Sequence, residues 1–246
     1  DLIDVSFSKF RDHSDPKLFD SRIFIINSGI TDRRKVATTI NYLSRKSTKV
    51  IGIDLLFDTL YSTPADTLLR NAILSSPKLT LAYSFEEAKL HKPSTMEMHS
   101  HPFFTKSDNQ AYVNLATNDG FSVRTFEPFH NVEGNLVPSF STKIALSFNP
   151  DILSSLNARG VDKEWINFRR VQPGVSGMIY PINSGQNSHH ALVNIDQFLN
   201  DTSSYDDNYF KDKIVLVGFC GEHDASLSMK DRYYTPLNER SSGRSI

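Results

Sequence analysis

Apolar and polar residues follow one another along the first third of the chain in blocks that predict alternating strands and helices. Residues 22–27 are a short apolar run rich in β-branched side chains, and Ser28 and Gly29 close it with a turn, which is the pattern of a buried strand. Residues 49–56 and 79–83 are apolar runs of the same kind. We therefore predict three buried strands in this part of the chain.

Two amphipathic segments separate these strands. Thr31 is suited to cap the first helix and Asp32 to its positive first turn, and the apolar residues of that helix recur on one face: Val36, Ala37, Ile40 and Leu43. Residues 65–75 predict a second helix, with an apolar stripe of Leu68, Leu69, Ala72 and Ile73. Alternating strands and helices build right-handed crossover units. We predict an α/β fold with a mostly parallel central sheet flanked by helices.

The rest of the chain is less regular. Residues 84–109 show no periodicity and predict a polar surface insertion, since they exceed the usual length of a connection. Residues 112–115 and 123–129 flank the turn sequence Asn118-Asp119-Gly120 and predict an antiparallel strand pair. The remaining elements are predicted as helices over residues 138–148 and 194–199, and as strands over residues 165–169, 177–182 and 213–219.

Composition narrows the class of protein. The chain has 246 residues and no shift in composition that marks a boundary, so we expect one domain over residues 1–246. Lys and Arg number 27 against 28 Asp and Glu, which gives no electrostatic reason to expect a nucleic-acid partner. Cys220 is the single cysteine and excludes an internal disulfide. No apolar run approaches the roughly 20 residues of a membrane span, and we expect any membrane segments to lie outside this stretch.

Several segments carry a family resemblance through their order and spacing. They are Ile25-Ile26-Asn27 with Asp32-Arg33, residues 49–57 with Asp66, residues 112–115 with Val123-Arg124, residues 166–169, and residues 210–218 with Asp231 and Thr235-Pro236-Leu237. Together they resemble the CHASE2 family of bacterial extracytoplasmic sensor domains, which are attached to histidine kinases, nucleotide cyclases and other membrane proteins. The chain departs from the family pattern in the polar insertion at residues 84–109 and at Phe219-Cys220.

The resemblance implies a non-catalytic sensory input module on the outer side of the cell membrane, tethered by flanking transmembrane helices. Its expected partners are a small-molecule ligand, the membrane through those helices, and a second copy of the chain in a homodimer. No cofactor is expected. The alternative reading is a protein-interaction or oligomerisation module without a small-molecule ligand. A metal-dependent phosphohydrolase using Asp54, Asp58 and Asp32 is a third, weaker hypothesis.

Polar residues at the ends of the predicted strands define a candidate ligand site, because ligands of open parallel sheets bind beyond the carboxyl ends of the strands. Arg124 is included as a cation that could partner Asp54, and that pair could equally be structural. Asp32 has the alternative role of a helix-start carboxylate that accepts backbone amides, which would leave Arg33 solvated. The full candidate set is Asn27, Ser28, Asp32, Arg33, Asp54, Asp58, Arg124, Gly221 and Asp231.

Catalytic and metal motifs are weak by comparison. No phosphate-binding loop of the G-x-x-x-x-G-K-[ST] or G-x-G-x-x-G type occurs, and no G-x-S-x-G elbow supports a serine nucleophile. The histidines at 91, 99 and 101 and at 189 and 190 lack a diagnostic metal-binding spacing. Cys220 is predicted to be a small buried residue rather than a reactive thiol, since the neighbouring acidic residues would oppose a thiolate.

Overall fold

The computed structural model describes residues 20–30, 32–86, 96–106, 108–115, 123–132, 134–167 and 191–220. The first half of the chain contains, in order, β1 (Ile23–Asn27), α1 (Arg33–Arg45), β2 (Val50–Asp54), α2 (Pro64–Ser75), β3 (Leu79–Glu86), β4 (Met96–Met98), a 3₁₀ turn (Pro102–Phe104) and β5 (Gln110–Tyr112). The second half contains β6 (Thr125–Phe126), β7 (Phe129–Val132), β8 (Asn135–Pro138), α3 (Phe140–Phe148), α4 (Ile152–Arg159), β9 (Glu164–Trp165), β10 (Ala191–Asn194), α5 (Ile195–Asn200), a second 3₁₀ turn (Thr202–Ser204) and β11 (Ile214–Gly218).

The centre of the fold is a parallel sheet, as the alternation of strands and helices predicts. Six parallel strands lie in the order β10, β1, β11, β2, β3, β5. The short strand β4 adds antiparallel pairing to the end of β3. The last strand, β11, lies between the first two, so residues far apart in sequence become neighbours at both edges of the sheet. The predicted α/β fold class is confirmed.

Helices cover both faces of this sheet. α1, α2 and α5 pack on one face, where Ile26, Ile40 and Phe198 belong to the main apolar core. α3 packs on the opposite face over Val50 and Ile214. Right-handed crossovers that step in one direction along a sheet place their helices on one face. The connections from β1 to β2, from β2 to β3 and from β10 to β11 all step toward β5, which explains the common layer of α1, α2 and α5.

Local sequence accounts for the helix starts. α2 begins with a capping box in which the Thr63 hydroxyl accepts from the Asp66 backbone N–H and the Asp66 carboxylate accepts from the Thr63 N–H, with Pro64 as the first helical residue. α1 is capped by Asp32 one residue after the predicted cap, Thr31, which lies outside the described residues. Leu68 was predicted in the buried stripe of α2 but is 48% exposed, because α1 covers only the flank of α2 that carries Leu69, Ala72 and Ile73.

The predicted strand pair between residues 112–115 and 123–129 is wrong in its pairing. β5 pairs in parallel with β3, and β6 pairs with β9, so β5 and β6 do not pair with each other. The turn sequence at residues 118–120 lies outside the described residues. The antiparallel pairs that do form are β6 with β9 and β7 with β8, and the latter hairpin turns at Gly134, whose φ of 88° suits glycine.

The predicted polar insertion at residues 84–109 is only partly an insertion. β3 continues to Glu86, and the 3₁₀ turn inside this stretch contributes Phe104, which is fully buried in the main core. The Ser100 hydroxyl accepts from the Phe57 backbone N–H at 2.9 Å, and the His101 N–H donates to the Phe57 carbonyl at 2.8 Å. This stretch therefore anchors the loop that follows β2. Among the described helices, none combines the length and apolar composition needed to cross a bilayer.

Candidate ligand site at the carboxyl edge of the sheet

The carboxyl ends of four neighbouring strands form one row of residues in register. Asn194 of β10 lies opposite Asn27 of β1. Gly218 of β11 lies opposite Asn27 on one side and Asp54 of β2 on the other. Alternate residues of a strand point to opposite faces, so these four residues share the face on which α3 packs against Leu216. We call Asn194, Asn27, Gly218 and Asp54 the strand-end row.

Gly218 has no side chain in this row, and Asp54 packs close against it. A Cβ atom at position 218 would lie 3.2 Å from the Asp54 Cβ and 3.3 Å from the Asp54 carbonyl oxygen, which is closer than ordinary van der Waals contact. The close approach of Asp54 to the end of β11 therefore depends on glycine at this position.

The Asn27 side chain connects the ends of three strands through hydrogen bonds. Its Oδ1 accepts hydrogen bonds from the Gly29 N–H at 3.1 Å and from the Cys220 N–H at 2.9 Å. Its Nδ2 donates to Asn194 Oδ1 at 3.1 Å. The side chain is almost completely buried, and the neighbouring Ser28 N–H donates to the Gly218 carbonyl at 2.8 Å. Asn27 and Ser28 therefore position the loops around the row.

Asp54 and Cys220 form the exposed part of this edge. Asp54 is exposed at the end of β2, while the rest of that strand is buried. Cys220 is also exposed, so the prediction of a buried cysteine is wrong, because β11 ends at Gly218 and the chain leaves the core there. Desolvation by the surrounding protein raises the pKa of the Cys220 thiol, and the negative charge of Asp54 adds to the rise. The raised pKa favours the protonated thiol over the nucleophilic thiolate.

Asp32 takes the helix-start role that the sequence left open. Its side chain accepts from the backbone N–H groups of Arg34 and Lys35 at the start of α1. These bonds satisfy donors that have no partner within the helix. The Asp32 carboxylate is thus bound to its own helix.

Arg33 is not a solvated side chain, because its guanidinium forms contacts that connect several secondary-structure elements. Its guanidinium pairs with the buried Asp66 carboxylate and donates to the Thr59 carbonyl at 2.6 Å. The same group lies 4.5 Å from the ring centre of Tyr61 and 5.1 Å from that of Phe104, within the range of cation–π contact. Arg33 therefore holds the loop that follows Asp54 against the starts of α1 and α2.

Opposing effects act on the pKa of Asp66. Burial favours the protonated form, but hydrogen bonds from Thr63 and the pairing with Arg33 outweigh it and lower the pKa. The carboxylate is only 1% exposed, so its charge depends on these partners. The sequence drew attention to Asp66 only through the family resemblance, and its position within a capping box is the local signal that identifies its role.

The strand-end row does not include the remaining candidate residues, and two of them lie outside the described residues. Asp58 is exposed on the loop after β2, where it accepts from the Thr59 hydroxyl at 3.1 Å. Arg124 precedes β6 and its carbonyl accepts from the Ile166 N–H, so its backbone belongs to the β6–β9 pair. The partnership of Arg124 with Asp54 stays a prediction. Gly221 and Asp231 lie outside the described residues.

Sequence reasoning missed Asn194, which completes the row. It ends β10 and begins α5, and a polar residue between a strand and a helix is the signal that could have found it. Among the described residues, no group of three or more His, Cys, Asp or Glu side chains is arranged to hold a metal ion. The row instead offers amide and carboxylate groups suited to hydrogen bonding a small polar molecule.

Comparison with known proteins identifies the family to which the chain belongs. Searches of curated proteins and of solved structures found no match. A family model, that of the CHASE2 domain, matches residues 20–246, which is nearly the whole chain. The match covers well over half of the chain and therefore shows its family. The chain belongs to the CHASE2 domain family, a family of extracytoplasmic sensory domains.

Proposed function

We propose that this chain is the non-catalytic input module of a membrane-anchored signalling protein and that it binds a small polar ligand at the strand-end row. The single observation that carries the proposal is the register that aligns the exposed Asp54 carboxylate and the buried, hydrogen-bonded Asn27 amide on either side of Gly218. The family match supports the sensory role. The ligand class that fits is a molecule with hydrogen-bond donors for Asp54 and with donor and acceptor groups for the asparagine amides.

A signal would arise if the ligand stabilises one arrangement of this edge over another. Such a shift requires different affinities for the two arrangements. The elements that a ligand would restrain are the loop after β1, the loop after β2 and the chain beyond β11, and Asn27 and Arg33 already connect them. A ligand that bridges Asp54 and Asn194 would tighten the same connections.

Thermal unfolding against a panel of amines, amino acids and polyols tests the ligand proposal. A ligand that binds only the folded state at a hundredfold excess over its dissociation constant adds about 2.7 kcal/mol of stability. For a chain of this size that is a midpoint increase of roughly 5 to 10 °C. We expect one class of compound to produce such a shift and Asp54→Ala to abolish it.

Asp58→Ala is the matched control, because it removes an exposed carboxylate from the adjacent loop but leaves the strand-end row intact. If Asp58→Ala weakens the shift as much as Asp54→Ala does, the ligand lies over the loop and the proposed site is wrong. Turnover of any compound in the panel that depends on Asp54 would contradict the non-catalytic role.

A second candidate function is a protein-interaction or oligomerisation module, and the surface around α4 favours it. No residue of α4 is buried, and three large apolar residues of this region are exposed: Leu153, Val161 and Trp165. Exposed apolar residues in one region are typical of contact surfaces. Sedimentation velocity distinguishes the two functions, since this one requires a dimer that Trp165→Ala weakens and no thermal shift with small molecules.

A further inference from the structure

The hydrogen bonds of Asn27 fix the orientation of its amide group. Its Oδ1 accepts from the backbone N–H groups of Gly29 and Cys220, and a backbone N–H can only donate. The oxygen therefore lies toward these two loops, and Nδ2 lies toward β10. Because the side chain is almost completely buried, the reverse orientation would leave two backbone donors facing a third donor without an acceptor.

The orientation of Asn27 in turn fixes that of Asn194. The Asn27 Nδ2 donates to Asn194 Oδ1 at 3.1 Å, so the oxygen of Asn194 faces β1 and its Nδ2 is directed away from Asn27. Asn194 precedes the first residue of α5, where an asparagine side chain commonly caps the helix. Its backbone is extended, as a cap requires, but its side chain makes no hydrogen bond to α5. The bond to Asn27 takes the place of the cap.

Asn194 thus presents a hydrogen-bond donor at the β10 end of the strand-end row. Within the part of the chain that the structure describes, its Nδ2 makes no hydrogen bond, and the side chain is half-buried. An amide nitrogen carries two donor hydrogens. A half-buried donor of this kind is satisfied by water or by a bound molecule that supplies an acceptor.

Asp54 presents the opposite chemistry at the β2 end of the row. It is exposed, and a carboxylate can accept several hydrogen bonds at once. Burial raises the pKa of the Cys220 thiol and the negative charge of Asp54 adds to the rise, so the field of this carboxylate extends toward the end of β11. The row therefore has a donor at one end and a charged acceptor at the other.

We infer that the strand-end row binds a linear zwitterion, with the ligand carboxylate at Asn194 and the ligand ammonium group at Asp54. This inference rests on the proposed ligand site and adds the polarity and the length of the ligand. β10 and β2 are three strand spacings apart, which is about 14 Å at roughly 4.8 Å for each spacing. A hydrogen bond of about 2.9 Å at each end leaves roughly 8 Å between the terminal groups of the ligand.

This length is too great for a single amino acid to bridge the row. An extended peptide spans about 3.3–3.6 Å for each residue, so a chain of roughly two or three residues fits. The unbranched compound 6-aminohexanoate has a similar length. These molecules share one chemistry, which is two ends of opposite charge joined by an extended chain, and Gly218 contributes no side chain at the middle of the row that this chain would cross.

Nuclear magnetic resonance titration of the full chain tests polarity and length together, because it measures weak dissociation constants. The probes are glycine, 4-aminobutanoate, 6-aminohexanoate and 8-aminooctanoate, with 1,6-diaminohexane as a ligand of similar length that carries two ammonium groups. We expect 6-aminohexanoate to bind most tightly of the series. The diamine should bind about tenfold more weakly, since it offers no acceptor to the Asn194 donor.

Asn194→Asp replaces the donor by an acceptor of the same shape and keeps an oxygen for the bond from Asn27. It should weaken the binding of 6-aminohexanoate about tenfold and strengthen that of 1,6-diaminohexane about tenfold. A gain of diamine binding cannot come from an unfolded variant. The matched control is Asn200→Asp, the same change at the exposed last residue of α5, which should leave both dissociation constants unchanged.

The possible outcomes separate this inference from the proposed site itself. Binding that depends on Asp54 but does not respond to Asn194→Asp would overturn the inferred polarity and leave the site in place. Equal affinity across the length series would overturn the inferred length, and an equal reversal in Asn200→Asp would show that added charge alone sets the preference. If no probe binds but a compound of the thermal panel gives a shift that Asp54→Ala abolishes, the zwitterion is wrong and the site stands. If neither experiment detects a ligand, both proposals fail.

Discussion

Gly218→Ala tests whether the close packing of β11 against Asp54 requires glycine in the strand-end row. The added Cβ would lie 3.2 Å from the Asp54 Cβ and 3.3 Å from the Asp54 carbonyl oxygen. The nearest atoms belong to Asp54 itself, including its backbone, and the parallel ladder between β11 and β2 holds that backbone in place. Relief of the contact therefore requires a strand to shift and not merely a side chain to rotate.

Two effects of opposite sign determine the size of the change. Adding atoms to a packed site costs about 1–3 kcal/mol. Replacing glycine by alanine also restricts the unfolded chain, which stabilises the folded state by about 0.4–1 kcal/mol where the backbone conformation is allowed. The net loss should be roughly 0.5–2 kcal/mol, which lowers the thermal midpoint by about 1 to 8 °C.

Reversible urea unfolding of a double-mutant cycle measures this coupling. Asp54→Gly removes the Cβ that the new methyl group would contact, so the cost of Gly218→Ala should be smaller in that background. A midpoint that stays constant or rises in Gly218→Ala would refute the reasoning, since it would mean that β2 yields without cost. Equal costs in both backgrounds would show that the Asp54 side chain does not limit the space.

Three other predictions follow from the contacts around the site. Arg33→Ala leaves the buried Asp66 carboxylate without its cation and should lower the thermal midpoint by roughly 6 to 20 °C in calorimetry. Arg33→Lys should recover only part of this loss in the midpoint, and full recovery would contradict a role for the planar guanidinium. The pKa of Asp66 is lowered in the folded state, so the carboxylate stabilises the fold above the unfolded pKa of about 4, and this stabilisation is lost as the pH falls through the folded pKa. In urea unfolding at a series of acidic pH values, the free energy of unfolding of Asp66→Asn should therefore fall less steeply with decreasing pH than that of the unchanged chain. An equal slope in both proteins would exclude this linkage. Asn27→Ala leaves the Gly29 and Cys220 N–H groups without their acceptor and should lower the free energy of unfolding by about 1–3 kcal/mol. The control Asn131→Ala removes an exposed side chain that accepts one hydrogen bond, from the Gly134 N–H, and should lower it by less than about 0.5 kcal/mol. Equal losses in the two variants would show that burial at Asn27 is unimportant.

Local pattern was sufficient for the regular elements around the parallel sheet. The predicted strands at residues 22–27, 49–56 and 213–219 correspond to β1, β2 and β11 within two residues at each end. Each is a continuous apolar run because both faces of the sheet are covered, and such a run is visible in the sequence.

Pairing between distant strands was not predictable in the same way. The turn sequence at residues 118–120 favoured a hairpin between its flanking segments, whereas β5 joins β3 in the parallel sheet. A turn signal reports only local backbone preference, and the burial gained by extending the sheet outweighs it. Phe104 was missed for a related reason, since one aromatic residue in an irregular stretch has no period to reveal that it fills the core beside Phe57.

The sequence by itself determined the buried strands β1, β2 and β11, the helices α1 and α2 and the membership of the CHASE2 family, because these depend on local periodicity and on motifs in a fixed order. Only the tertiary structure decided that β11 lies between β1 and β2, which brings the Cys220 N–H to Asn27 across 193 residues and sets Gly218 between Asn27 and Asp54. Strand order is set by the burial of apolar faces over the whole sheet, so the polar residues at either edge meet as a consequence of packing that no local pattern encodes.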